Sequence, residues 1–182
     1  MDHGEEKIKQ HLQHEKWDLA FDLVVEHFSK PLYFHIRKLV VVHADADDVL
    51  QNSFIKIWQN LARFRGDSKL YTWLYRIATN EALAHLRRER KRQKNSGPEA
   101  LAFIQQDPYL DCSAAEKEML AALRQLPEKQ QAVFKLRYFD NMRYQDMAAL
   151  LNTSVGGLKA NYHHARRKLE PVVTKSLNLP YH

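Results

Sequence analysis

Apolar residues recur at helical spacing along most of this chain. Trp17, Phe21, Val24, Val25 and Phe28 share one face of a first segment, the three-and-four rhythm of an amphipathic helix. Ser29-Lys30-Pro31 interrupts it, and Pro31 suits the first turn of a second helix reaching about Val42. Asp45 reads as the N-cap of a third helix, with Asp47 and Asp48 in its first turn, where the helix dipole favours negative charge. Leu50, Phe54, Ile57, Trp58 and Leu61 give that helix its apolar stripe. It ends near Arg63, and Phe64 to Ser68 form a loop. Ser68 or Asp67 then caps a long fourth helix.

The character changes between about Gln93 and Asp111. Asn95-Ser96-Gly97-Pro98 and Asp107-Pro108 are turn material, with a short helical piece at Leu101 to Ile104 between them. Residues 95–112 therefore read as a tether between a module at 1–94 and another at 113–182. The second opens on the capping box Ser113-Ala114-Ala115-Glu116. Leu126-Pro127 separates its first helix from one carrying Val133, Phe134, Leu136 and Tyr138, and Asp140-Asn141 turns the chain. A short helix from Arg143 to Leu151, a tight turn at Asn152-Thr153-Ser154 and a final helix from Val155 to about Val172 make a helix-turn-helix pattern.

Composition supports two small all-α domains. The 182 residues are 45% hydrophobic, enough for compact cores, and hold only 5 Gly and 6 Pro. Charge is uneven: residues 1–50 carry 6 Lys/Arg against 10 Asp/Glu, and residues 51–182 carry 22 against 12. A basic remainder behind an acidic front suggests a polyanion partner. Cys112 is the single cysteine, which excludes an intrachain disulfide and a thiolate metal cluster and fits a reducing cytoplasm. Met1-Asp2-His3-Gly4-Glu5-Glu6 has no signal-peptide pattern. No apolar run approaches the ~20 residues of a membrane span, so a membrane connection would come through a partner.

The densest chemistry lies between Phe64 and Asn80. Here a glycine-hinged loop, Phe64-Arg65-Gly66-Asp67-Ser68-Lys69, precedes a helix with Tyr71, Trp73, Tyr75 and Arg76. Aromatic faces accept unstacked bases, and the basic tract Arg87-Arg88-Glu89-Arg90-Lys91-Arg92-Gln93-Lys94 attracts phosphate. Leu70, Leu74 and Ile77 read as core. Tyr71 and Tyr75 share a polar-aromatic face with Thr72, Thr79 and Asn80.

In the last helix Leu158, Tyr162, Ala165 and Leu169 form the packing face. The opposite face presents Gly156, Lys159, Ala160, His163, His164 and Arg167. Lys159 and the histidines can reach base edges, and Arg166 and Arg167 phosphates; the helix start at Val155 adds its own field for phosphate. Adjacent His163 and His164 point about 100° apart, unsuited to one metal. Capping accounts for Asp45 and Asp48 without catalysis, and no phosphate loop, nucleophile elbow or zinc-protease motif is present. Neither an active site nor a cofactor is indicated.

Asp45-Ala46-Asp47-Asp48-Val49-Leu50-Gln51-Asn52-Ser53-Phe54-Ile55-Lys56-Ile57-Trp58 resembles the segment with which sigma-70-type factors bind the clamp helices of bacterial RNA polymerase. Phe64 to Ser68, with Tyr71-Thr72-Trp73-Leu74-Tyr75-Arg76-Ile77-Ala78 and Asn80, resembles the segment that recognises the −10 promoter element. Leu126-Pro127-Glu128 through Leu169 is similar to the domain reading the −35 element, with Val155-Gly156 opening its recognition helix. The resemblance is to the extracytoplasmic-function group, which keeps two of the sigma domains.

It implies a non-catalytic, cytoplasmic specificity subunit for core RNA polymerase on promoter DNA. Its expected regulator is an anti-sigma protein, often membrane-anchored in this group. Asp47, Asp48, Gln51, Asn52, Phe54 and Trp58 would lie at the polymerase interface. The loop at Phe64 to Lys69 would pocket a flipped −10 base, with Tyr71, Trp73, Tyr75, Arg76 and Asn80 around its neighbours and Arg87 and Arg88 on the backbone. Lys159-Ala160-Asn161-Tyr162-His163-His164 departs from the arginines usual in the recognition helix. A free-standing helix-turn-helix regulator would need no polymerase-binding segment. A nucleic-acid-processing enzyme using the aspartates and histidines would show metal-dependent cleavage.

Overall fold

The computed structural model describes residues 2–40, 42–66, 68–95 and 114–177. Among them are eight helices and no strand. They are α1 (Asp2–Gln13), α2 (Trp17–Val40), α3 (His43–Leu61), α4 (Leu70–Asn95), α5 (Ala114–Gln125), α6 (Glu128–Tyr138), α7 (Tyr144–Leu151) and α8 (Val155–Leu177). Contacts divide the chain into two compact units, Met1–Ala82 and Leu83–His182, with the division inside α4. The expected turns of the tether, the piece at Leu101 to Ile104, Cys112 and the Ser113 cap lie outside the described residues, as does Asp67.

In the first unit α2 packs against both α1 and α3. The expected break at Pro31 does not occur: α2 continues through it to Val40. Val24, Phe28, Leu32 and Ile36 form an unbroken buried stripe across the proline, and burying that stripe outweighs the one backbone hydrogen bond that proline removes. The carbonyl deprived of its partner belongs to His27, an exposed residue open to water. The Ser29 hydroxyl donates to the Val25 carbonyl in the same turn. α1 was not foreseen from the pattern; its Ile8 is fully buried.

α3 also starts earlier than expected. Val42, extended at φ −79°, holds the cap position without a side-chain cap bond, and Asp45 sits inside the first turn. The dipole rewards a carboxylate there as well as at the cap. Its buried face is Ala46, Val49, Ser53, Ile57 and Leu61. That places Leu50 and Phe54 half out of the core and exposes Trp58. Small Ala46 and Ser53 rotate the stripe, and a reading weighted to large side chains passes over them. α4 begins at Leu70, where Trp73 N–H bonds the Lys69 carbonyl, so Lys69 rather than Ser68 stands at its cap.

In the second unit α8 packs on α5, α6 and α7. Leu123, Leu126, Phe134, Ala165 and Leu169 form a core, with Tyr162 half-buried against it. Leu158 is buried too, so the packing face expected of α8 is the one observed. Asn152 closes α7 in the left-handed region at φ 47°, a conformation asparagine tolerates better than most side chains. α8 begins one turn of chain later.

Candidate nucleic-acid interface

The aromatic face of α4 is built in two layers. Tyr71 is exposed, and its ring stacks on Tyr75 with centroids 3.9 Å apart. Tyr75 is buried, its other neighbour being His35 at 4.9 Å. The Thr79 hydroxyl donates to the Tyr75 carbonyl at 2.7 Å, so the 2.8 Å bond between His35 Nε2 and Thr79 Oγ1 takes its proton from the imidazole. Burial pushes the Tyr75 phenol well above its ordinary range, and the hydrogen bond and charge of Tyr71 add to this. Tyr75, expected at the DNA surface, instead forms the floor under Tyr71. The one-turn spacing that brings the rings together also places the inner one against α2.

Beside this face, Phe64 and Trp73 hold their rings 5.1 Å apart. A groove of ≈ 330 Å³ opens next to them, lined by Lys56, Asn60, Arg63, Trp73, Ile77, Asn80 and Glu81. Glu81 is buried and ion-paired with Lys56 across from α3 to α4. Asn60 Nδ2 donates to the Lys56 carbonyl at 2.8 Å, leaving the amide oxygen as the group's acceptor. Asn80, Arg65, Gly66 and Lys69 are exposed, Ser68 and Arg76 half-buried. Gly66 has φ +78°, a left-handed turn that an L side chain would strain.

Sequence reasoning missed Lys56, Asn60, Arg63 and Glu81 as groove residues. Lys56 and Asn60 stand one turn apart on the polar side of α3, a signal shared with any solvated helix face.

On the outer side of α3, Asp48, Gln51, Asn52 and Trp58 are exposed and Asp47 half-buried. Trp58 and half-buried Phe54 flank Phe21, with ring centroids 5.1 and 6.2 Å from it. Trp58 borders two hollows, one of ≈ 680 Å³ reaching Trp17, Leu19 and Ala62, the other of ≈ 360 Å³ reaching Asp18, Asp22 and Ile55. Exposed Leu19 and Ile55 extend the apolar area. Acidic side chains around an apolar centre suit a partner surface that is apolar and basic.

Arg87 and Arg88 are exposed. Arg87 Nε meets Glu128 Oε1 at 3.1 Å, both in the second unit. Burial pushes the Glu128 carboxyl upward. Its own backbone N–H, Arg87 and Arg90 outweigh this and hold it below its ordinary value.

The face of α8 opposite its packing stripe is open: Gly156, Lys159, Ala160, His163, His164, Arg166 and Arg167 are exposed, and Val155 is half-buried. Ser154 Oγ accepts the Gly157 N–H at 3.2 Å, a helix cap the sequence reading had placed in the turn. A Cβ on Gly157 would meet Thr153 Cγ2 at 3.2 Å and Ser154 Oγ at 3.3 Å, so glycine lets the turn close on the helix. Among the described residues no three His, Cys, Asp or Glu side chains group as metal ligands, and no helix is long and apolar enough to cross a membrane.

Residues 24–92 match the family model "Sigma-70 region 2", and residues 116–169 match "Sigma-70, region 4". The chain is 34% identical over 163 residues to the RNA polymerase sigma-H factor of Pseudomonas aeruginosa, covering 83% of this chain and 84% of that protein. It is 33% identical over 172 residues to the ECF RNA polymerase sigma-E factor of Salmonella typhimurium, covering 86% and 90%. Among solved structures, the sigma factor RpoE of Bartonella quintana, in complex with the anti-sigma factor NepR, shares the fold with TM-score 0.59 at 24% identity, covering 85% of this chain and 96% of that one. CnrH in complex with the cytosolic domain of CnrY shares it with TM-score 0.60 at 23% identity, covering 96% and 99%.

Proposed function

The chain belongs to the sigma-70 family of RNA polymerase sigma factors, in its extracytoplasmic-function group, and from that premise we propose how its residues divide the work of promoter selection. It binds core RNA polymerase, directs the enzyme to promoters with two separated elements, and helps open the −10 element. The protein itself is non-catalytic and acts in the cytoplasm. An anti-sigma protein is its regulator.

The outer face of α3 and its apolar surround, from Asp47, Asp48, Gln51 and Asn52 to Phe54 and Trp58, is the polymerase-docking surface. The −10 strand crosses the start of α4. One flipped base enters the groove between Asn60, Trp73, Ile77 and Asn80, and Phe64 closes the loop side through Trp73. Tyr71 offers its exposed ring to a neighbouring base. Arg65, Lys69, Arg76, Arg87 and Arg88 hold the backbone, with Gly66 and Ser68 shaping the loop. Extruding a base costs a few kcal/mol, and stacking on an aromatic returns about 1–3 kcal/mol per base, so one or two such contacts decide whether the open state persists. In the second module α8 lies in the major groove of the −35 element. Ala160, His163 and His164 face the bases, and Arg166, Arg167 and the helix start at Val155-Gly156 approach the phosphates.

The observation carrying this reading is the groove beside the Phe64–Trp73 pair, a base-sized, aromatic-walled cavity with two asparagine amides. The test is transcription in vitro from genomic DNA with core polymerase and the purified chain. Transcripts from a set of start sites sharing −10 and −35 elements are expected. Failure to co-migrate with core polymerase, or no transcript from any site, would overturn the proposal.

A further inference from the structure

Two polar side chains meet inside the first unit, among apolar neighbours. His35 of α2 and Thr79 of α4 are both buried, and the imidazole Nε2 donates to Thr79 Oγ1 at 2.8 Å. Thr79 passes the link on, its own hydroxyl donating to the Tyr75 carbonyl at 2.7 Å. His35 also lies against Tyr75 directly, with ring centroids 4.9 Å apart and planes tilted by 54°. Tyr75 in turn stacks on exposed Tyr71, at 3.9 Å and 29°. One residue of α2 therefore holds Tyr75 both by backbone and by ring, and Tyr75 carries the ring offered to a −10 base. By its place in the sequence Thr79 belongs to the polar-aromatic face beside Asn80, yet it is fully buried.

Around this link α4 buries Leu70, Leu74, Ala78 and Ala82. Apolar contact is non-directional, so such a stripe tolerates a small slide or turn of the helix. A hydrogen bond weakens steeply as its angle closes from linear. A buried donor and acceptor add little to stability over an apolar pair of the same shape; what they add is direction. A Tyr71 ring already held in place spares the cost of ordering that side chain when DNA binds.

We propose that His35 is a positioning residue for promoter opening: it sets Tyr75, through Thr79 and through its own ring, so that Tyr71 presents its face to a −10 base. The proposal rests on the base-stacking role of Tyr71 stated above. His35 itself, being buried, has no contact with DNA. Its partner lies 44 positions further along the chain.

The test compares thermal unfolding with heparin-resistant open complexes formed by the full chain and core polymerase. The variants are Thr79→Val, Thr79→Ser and the pair His35→Leu with Thr79→Val, each with and without Tyr71→Ala. Opening is measured at a temperature where every variant is folded. Thr79→Val takes the Thr79 acceptor from the imidazole N–H and should lower both the melting temperature and opening. The pair removes donor and acceptor together and should recover part of the melting temperature. Its open complexes should nevertheless stay about fivefold below wild type, the lower end of what one base stack contributes. In the Tyr71→Ala background the pair should cause no further loss, because its effect passes through that ring. Thr79→Ser keeps the hydroxyl and should open promoters as the wild type does, and affinity for core polymerase should be equal throughout. Opening that recovers along with the melting temperature would overturn the proposal, leaving the bond a matter of core packing. So would a loss that persists in the Tyr71→Ala background. If the pair does not fold, Thr79→Val against Thr79→Ser decides, and equal opening by those two overturns the role. Wild-type holoenzyme that opens no promoter overturns the sigma-factor reading, and this inference with it.

Discussion

Phe64 and Trp73 hold their rings 5.1 Å apart, tying the loop after α3 to the first turn of α4. Trp73 is also a wall of the adjoining groove, so one side chain both fixes the loop and shapes the cavity. Trp73→Ala removes a stacking surface worth about 1–3 kcal/mol per base. Heparin-resistant open complexes should fall about tenfold or more, while affinity for core polymerase stays at the wild-type value. Permanganate reactivity of the −10 thymines equal to wild type would contradict this.

Tyr71 and Tyr75 are stacked but differ in burial, and the difference separates their variants. Tyr75→Ala opens a cavity against His35 and should cost about 3–5 kcal/mol of stability. Tyr75→Phe loses only the hydroxyl contact to Tyr71, about 1 kcal/mol, and leaves promoter opening unchanged at a temperature where both proteins are folded. Tyr71→Ala should do the reverse, sparing the melting temperature and weakening open complexes several-fold. Calorimetry and open-complex assays on the three variants check this pattern; equal effects of Tyr75→Phe and Tyr71→Ala on opening would sink it.

The buried carboxylate of Glu81 depends on Lys56, whose own side chain is half exposed. Lys56→Met leaves that carboxylate without its charge partner and should destabilise the first unit by about 1–3 kcal/mol. Adding Glu81→Gln to Lys56→Met should recover part of the loss, because a neutral amide is cheaper to bury than an unpaired anion. Urea denaturation of the single and double variants measures both. A double variant less stable than Lys56→Met would rule the argument out.

Helical rhythm made most of this architecture legible, because α3, α7 and α8 each bury a periodic face, whereas α6 is buried on every side from Gln131 to Leu136. Where the rhythm misled, tertiary burial had overridden a local rule. Pro31 is a reliable break in isolation, yet the Val24–Phe28–Leu32–Ile36 stripe carries α2 across it. Val42, with no side-chain cap bond, starts α3 ahead of the acidic residue suited to capping.

The surface followed the same logic. Tyr71, Asn80, Lys159 and His163 are exposed, where helical phase puts them. Asn60, Lys56 and Glu81 were not foreseen, because their shared groove exists only once α3 lies against α4. Tyr75 was placed outward because its pairing with His35, 40 residues earlier, leaves no trace in local sequence.

The ion pair between Arg87 and Glu128 makes a prediction about acid stability. The Glu128 carboxyl is pushed up by burial but held below its ordinary 4.5 by its own backbone N–H, Arg87 and Arg90. A carboxyl depressed in the folded state protonates first in the unfolded chain, so its stabilisation is complete above pH 4.5 and disappears as pH falls through the lower, folded value. Glu128→Gln removes the charge at every pH. The wild type should therefore melt above the variant near pH ~6, and the two curves should converge toward pH ~3. Because the Arg87 side chain is largely exposed, about 0.5 M salt should narrow the gap at pH ~6 as well. Melting temperatures across that range check both slopes. A gap that stays constant down to the acid end would mean that Glu128 stabilises the fold through something other than its charge.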